Sequence, residues 1–236
     1  MPISRTLDQN FFKTWTHNMA YTLGFFAADG SMLANKRGAH FIEFTITDRT
    51  VLEYIQKITH SSHRISERER GGNCKTGYRL QVGSKEWFSD LTRLGFTQQK
   101  SNTLQFPKIP RAFFGDFVRG YFDGDGCVYF SRCWSKSHQK KRWVFTTLFT
   151  SGSRRFLEEL HLQLHSHGLI GGHISTKKRG WALVFSRYDS LALYRLMYHT
   201  ADADDLCLPR KWEKLERAIK VLQLSSRDIR GRSSTG

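Results

Sequence analysis

The 236-residue sequence is poor in cysteine. Its four, Cys74, Cys127, Cys133 and Cys207, form no CxxC pair and no spacing typical of a zinc site. They read as reduced thiols of an intracellular protein. No apolar run approaches the roughly 18 residues of a membrane-spanning helix, and no signal-peptide pattern opens the sequence. The expected location is the cytoplasm of a bacterium or an organelle matrix. Proline is equally scarce, and two of the four prolines fall in the segment QFPKIPRAF, where two parts of the chain join. Acid is the third shortage. Asp and Glu number 21 against 37 Lys and Arg, a formal net charge of +16. Such an excess selects a polyanionic partner, through attraction to phosphates and release of their counterions.

Against these shortages stands a folded chain that repeats itself. Apolar residues make up 39% and aromatics 14%, enough for a core. Only the tail over 225–236, SSRDIRGRSSTG, reads as disordered. Two segments match, LGFFAADGS at 23–31 and RGYFDGDGC at 119–127, with Asp29 and Asp125 standing 96 residues apart. The stretches after the two copies match in order as well. After Gly30 the pattern predicts a hairpin turning near Gly38, then a helix capped by Asp48 with Val51, Leu52, Ile55 and Ile58 on one face. A second hairpin turns at Gly71-Gly72-Asn73, and a helix carrying Trp87, Phe88, Leu91 and Leu94 ends at Gly95. In the second copy CVYFSRCW pairs with RWVFTTLFTS across a basic loop, and a helix from about Ser153 stops at Gly168. HISTKK then pairs with WALVFS, and SLALYRLMYH and PRKWEKLERAIKVL are helical, Pro209 suiting a first turn. Each half is therefore αββαββα, one over 1–112 and the other over 113–224, and the fold class is α+β.

The repeated motifs carry the chemistry. The first motif helix starts near His17, capped by Thr16. Gly24, Ala27 and Ala28 leave one stripe of it nearly flat, and Gly120 and Gly124 repeat the gap in the second. Glycine in a helix costs about 1 kcal/mol relative to alanine. Two such helices point to close backbone approach. Packed side by side in parallel, they would bring Asp29 and Asp125 together near exposed helix carbonyls. Carboxylates so placed repel unless a cation joins them, and hard oxygen donors select Mg²⁺ (or Mn²⁺). A metal between paired acids and a phosphate can hydrolyse a phosphodiester.

TLGFFAADG and VRGYFDGDG resemble the nine-residue motif of the LAGLIDADG homing endonucleases, and the resemblance extends from about Phe11 to Leu224. Two motifs in one chain imply the monomeric form with a pseudo-twofold axis and no obligate protein partner. The resemblance implies metal held by Asp29 and Asp125, with the carbonyls of Ala28 and Gly124 assisting. The sixth motif position, usually acidic, is Ala27 in one copy and Asp123 in the other. Lys100 and Lys211, which lie 71 and 86 residues beyond the motif aspartates, resemble the family's basic active-site pocket. The four hairpins are expected to form two antiparallel four-stranded sheets, a saddle over an asymmetric double-stranded DNA site of about two helical turns. Lys36, Arg37, Arg68, Arg70, Lys75, Arg79, Arg132, Lys136, Lys140, Lys141, Lys177, Lys178 and Arg187 are the candidates for reading bases or holding phosphates.

The function so implied is site-specific cleavage of double-stranded DNA, as in intron homing. The rival readings are an RNA-binding intron maturase and a DNA-binding regulator without nuclease activity. Retention of both motif aspartates favours cleavage. An endonuclease embedded in an intein is disfavoured by the position of the first motif helix near the start. His161 and His165 have an i,i+4 spacing that could share a metal, but they read as an ordinary pair on an amphipathic helix.

Overall fold

The computed structural model describes residues 5–68, 75–98, 102–198 and 207–224. Helix α1 covers His17–Asp29, and the Thr16 hydroxyl caps it by accepting from the Met19 N–H at 3.1 Å. Strands β1 (Gly30–Ala34) and β2 (His40–Ile46) come next as a hairpin, with Gly38 in the turn at φ 78°. Asp48 caps α2 (Arg49–Ile58). Strands β3 (Ile65–Arg68) and β4 (Gly77–Gly83) lead to α3 (Lys85–Arg93), capped by Ser84. The same order recurs as α4 (Phe114–Asp125), β5 (Gly126–Ser135), β6 (Lys140–Ser151), α5 (Arg154–Ser166), β7 (His173–Lys177), β8 (Gly180–Phe185) and α6 (Arg187–Tyr198), and α7 (Pro209–Leu222) is added at the end.

The strands make two antiparallel four-stranded sheets, ordered β1-β2-β4-β3 and β5-β6-β8-β7. This is the α+β architecture that the repeat implied. The chain forms two compact units, residues 1–124 and 125–236. By packing, α4 up to Gly124 belongs to the first unit, because its glycines seat it against α1. Period-2 alternation then sorts each sheet into two faces. In the first, Ile42, Phe44, Leu80 and Val82 are fully buried under the helices. Phe26 of α1 lies edge-on to Phe44 at 5.6 Å and to Phe96 at 5.3 Å. Each such ring contributes roughly 1.5–3 kcal/mol by burial. In the second unit Phe149, Leu183, Phe185, Phe156, Leu160 and Leu164 play the same part.

Several expectations need adjustment. Arg187 is the first residue of α6, not a strand residue. Lys211 lies inside the first turn of α7 and does not precede the helix. Ile58 is only half-buried, and Thr59, fully buried, closes that face of α2 by donating to the Ile55 carbonyl at 2.6 Å. Lys100, Arg70, Cys74, the turn at Gly71-Gly72-Asn73 and the tail from Ser225 lie outside the described residues.

Candidate active site and nucleic-acid interface

The close approach of α1 and α4 is built from glycine. A Cβ on Gly24 would stand 2.0 Å from the Phe117 carbonyl oxygen, and one on Gly120 would stand 2.0 Å from that of Tyr21. Both clashes are with backbone, which cannot swing away. One step nearer the helix ends, a Cβ on Gly124 would stand 2.4 Å from the Ala28 Cβ and 3.1 Å from Asp29 Oδ2. The Asp29 carboxylate thus leans over the last turn of α4. Asp29 and Asp125 are each the final residue of a motif helix, and each is followed at once by a strand, so no loop loosens either carboxylate. Both are half-buried, as are Ala28 and Gly124.

The helix pair is locked by a polar chain that is buried except at its outer end, His17. Tyr21 donates to Asp123 Oδ2 at 2.8 Å, and the Arg119 guanidinium lies 5.5 Å from the Tyr21 ring centroid. Arg119 also pairs with Asp116 at 3.0 Å, and both are almost wholly buried. Asp116 Oδ2 meets His17 Nδ1 at 2.7 Å. Buried charge is costly unless it is paired and hydrogen-bonded, and here it joins α1 to α4. Asp123, the acid at the sixth motif position, is therefore structural. Ala27 at the matching position is simply packed, 3% exposed.

In the second unit Asp125 heads a hollow of ≈ 170 Å³ lined by Thr150, Ser151, Gly152, Lys177, Arg179 and Trp181. Thr150 fixes the backbone there, donating from Oγ1 to the Asp125 carbonyl at 3.1 Å. The hollow places two cations and two hydroxyls beside a carboxylate. Lys177 was a sequence candidate. Arg179 was not, because its RG dipeptide reads only as a turn. Lys211 is 5% exposed, which sets it apart from the surface lysines. Asp48 and Ser153 serve as helix caps at matching places after β2 and β6.

Residues 17–94 match the family model described as a LAGLIDADG-like domain. The matched span takes in the first motif, and there the chain resembles the LAGLIDADG family. Solved structures extend the likeness in fold to both motifs. The LAGLIDADG meganuclease I-AabMI bound to uncleaved DNA is 13% identical, with a TM-score of 0.60 over 86% of this chain and 89% of that one. The homing endonuclease I-WcaI bound to its DNA recognition sequence is 16% identical, with a TM-score of 0.60 over 86% and 91%. I-SmaMI, bound to its uncleaved target in the presence of calcium ions, is 12% identical with a TM-score of 0.61 over 92% and 96%. Among curated proteins, a probable translation initiation factor IF-2 of Thermococcus kodakarensis is 29% identical over 181 residues. The match covers 73% of this chain but only 14% of that protein, so it concerns one segment of a much longer polypeptide.

The sheet face that carries no helices is polar in the first unit. Ser31, Glu43, Thr45, Ser66, Arg79 and Gln81 share it by register. Arg79, expected to be an available cation, instead pairs with Glu43 at 3.2 Å. Gln81 donates to the same carboxylate. Arg79 is therefore a neutralised, positioned group. Lys36, Arg37, Arg68 and Lys75 are exposed as expected. In the second unit Arg132, Lys136, Lys140, Lys141, Lys177 and Lys178 are exposed, and Arg142, overlooked in the sequence, joins them on β6. Among the described residues no helix is long and apolar enough to cross a membrane.

Proposed function

We propose that the chain is a site-specific endonuclease of double-stranded DNA, hydrolysing phosphodiesters with Mg²⁺ (or Mn²⁺) held by Asp29 and Asp125. The observation that carries this reading is the Asp29 carboxylate leaning over Gly124, the residue bonded to Asp125. The three DNA-bound endonucleases of the same fold support the choice of partner. The donor set suits a hard divalent ion: carboxylate oxygens at two helix ends, with the carbonyls of Ala28 and Gly124 beside them. Such an ion activates water and stabilises the leaving oxygen of the phosphodiester.

The chain's own residues do the rest. Asp29 and Asp125 would hold the ion beside the scissile phosphates. Lys177 and Arg179 hold a phosphate at the Asp125 hollow. Lys211 and Lys100 stabilise charge that develops on the phosphate. The exposed cations of the strands fix register on the duplex and read base edges. The two sequence halves, 1–112 and 113–224, each address one half of an asymmetric site of about two helical turns, so one molecule acts as a monomer within the cell.

The test is incubation with a randomised duplex library and Mg²⁺, then sequencing of cut ends. Wild type should cut at one asymmetric site, and Asp29→Asn and Asp125→Asn should each abolish double-strand cleavage while specific binding survives. Full cutting by either variant sinks the paired-acid mechanism. Specific binding with no cutting by wild type would make the chain a regulator, and selective binding of structured RNA would make it a maturase.

A further inference from the structure

We propose that the second unit carries a separate transition-metal site, formed by His161, His165 and the backbone carbonyl of Gly171, which takes Zn²⁺ or a similar imidazole-seeking ion. His161 and His165 lie one turn apart on α5, and their Nε2 atoms face each other at 2.8 Å. The Gly171 carbonyl oxygen stands 3.0 Å from the same His161 Nε2. His161 Nε2 thus has two other potential ligand atoms within 3.0 Å, and hydrogen bonding alone serves them badly. A neutral imidazole has one N–H. If His165 donates to His161 Nε2, that nitrogen cannot donate to Gly171, and two lone pairs face each other. If His161 donates to Gly171, its proton is already committed where His165 approaches. A metal ion needs no such choice, because it accepts all three lone pairs.

The spacing fits. Two ligand atoms about 2.0–2.1 Å from a common ion stand about 2.9 Å apart when they subtend a right angle, and about 3.4 Å at the tetrahedral angle. Both contacts lie near the right-angle value, which leaves the remaining positions of the ion to water. Imidazole nitrogen selects Zn²⁺, Ni²⁺ or Cu²⁺ over Mg²⁺.

The surroundings hold the ligands in place. Asp189, 4% exposed, accepts from the Ile170 N–H at 3.2 Å and the Gly171 N–H at 2.9 Å, which fixes the loop bearing the carbonyl. The His161 ring stands against Phe185, centroids 5.9 Å apart at 68°. Gly172 has φ 112°, and a Cβ there would come within 2.7 Å of His161 Nε2 and 2.5 Å of the Phe185 ring. Its bare Cα therefore leaves the nitrogen accessible. An ion so bound ties α5 to the loop before β7, away from the motif aspartates in sequence and in chemistry.

The experiment is a calorimetric titration of the full chain with Zn²⁺ in excess Mg²⁺, paired with thermal melting. Wild type should bind one more Zn²⁺ ion than His165→Ala, and saturating Zn²⁺ should raise its melting temperature by about 5 °C. His161→Gln should weaken that site at least tenfold, and Gly172→Ala should weaken it with both histidines present. Should His161→Gln misfold by circular dichroism, the exposed His165 still carries the test. Equal Zn²⁺ stoichiometry and affinity in wild type and His165→Ala, or no Zn²⁺-dependent shift in wild type, would overturn the proposal.

Discussion

The two units share one order of elements but not one surface. In the first, β1 and β2 have five and seven residues, whereas β5 and β6 of the second have ten and twelve. The extra length carries Phe130 stacked on Trp143 at 4.5 Å, Arg132 over the same indole at 5.8 Å, and Trp134 58% exposed. The first unit instead devotes part of its polar face to the Arg79–Glu43–Gln81 cluster, whose charges largely cancel. The motif helices behave differently, since Gly24 and Gly120 meet the same kind of obstacle, a carbonyl oxygen of the facing helix. The helices cannot diverge without a backbone clash, whereas a strand face can change residue by residue. A scaffold of this kind keeps its motif helices paired while its two sheet surfaces diverge.

The sharpest way to break the comparison is to burden a motif helix. Gly120→Leu should prevent α4 from seating on α1 and abolish cleavage, with a destabilisation at or above the usual overpacking range of about 1–3 kcal/mol. Gly83→Ala is the control in a sheet, since its Cβ would meet Phe41 at an ordinary 3.7 Å. Denaturant melts of both, beside a cleavage assay, decide the point; an active Gly120→Leu would mean that the helices tolerate separation.

A smaller effect is expected at Lys211. Lys211→Met preserves packing volume while removing a buried charge, so the single-turnover rate should fall on the order of 10²-fold and binding by far less. An affinity loss equal to the rate loss would reassign it to phosphate holding.

The longer β5–β6 arm of the second unit offers a milder contrast. Lys140→Gln with Lys141→Gln should lower the slope of log affinity against log salt by about 2 if both touch phosphates. Lys36→Gln with Arg37→Gln, on the short hairpin, should change it less. Equal slopes would show that the longer arm adds no contact.

The smallest effects are in pH, and they have opposite signs in the two units. Burial, helped by the positive charge of Arg5, holds His63 of the first unit below the ordinary imidazole value. The stability it confers is present above about pH 6.5 and is lost as pH falls through the lowered value. In the second unit, burial and then the hydrogen bond to Glu216 push Tyr194 up to about 12. Its contribution is present below the ordinary phenol value and is lost as pH rises through about 12. Ultraviolet titration of Tyr194→Phe against wild type, and melts of His63→Gln at pH 5 and 8, should show one loss on each side. Loss of both on the same side would void the assignment.

Much of this was written locally in the chain. Thr16, Asp48, Ser84 and Ser153 cap the helices they precede because short polar side chains satisfy first-turn N–H groups. Gly95 and Gly168, at φ 95° and 92°, end helices because only glycine enters that region freely. The repeated Asp-Gly fixed the order of elements in both halves, and the strand periodicity fixed which residues face the core. Other features depend on contacts between residues far apart in sequence. That Arg79 is neutralised depends on register with Glu43, 36 positions away, and that Arg119 is buried depends on Asp116 and the ring of Tyr21. The hollow gathering Arg179 and Lys177 around Asp125 exists because β8 pairs with β6. The histidines of α5 meet a carbonyl because Asp189 folds the next loop back on them. Periodicity and caps act within a few residues and can be read along the chain. Pairing, neutralisation and convergence of ligands are set by packing across it, and only the tertiary structure decides them.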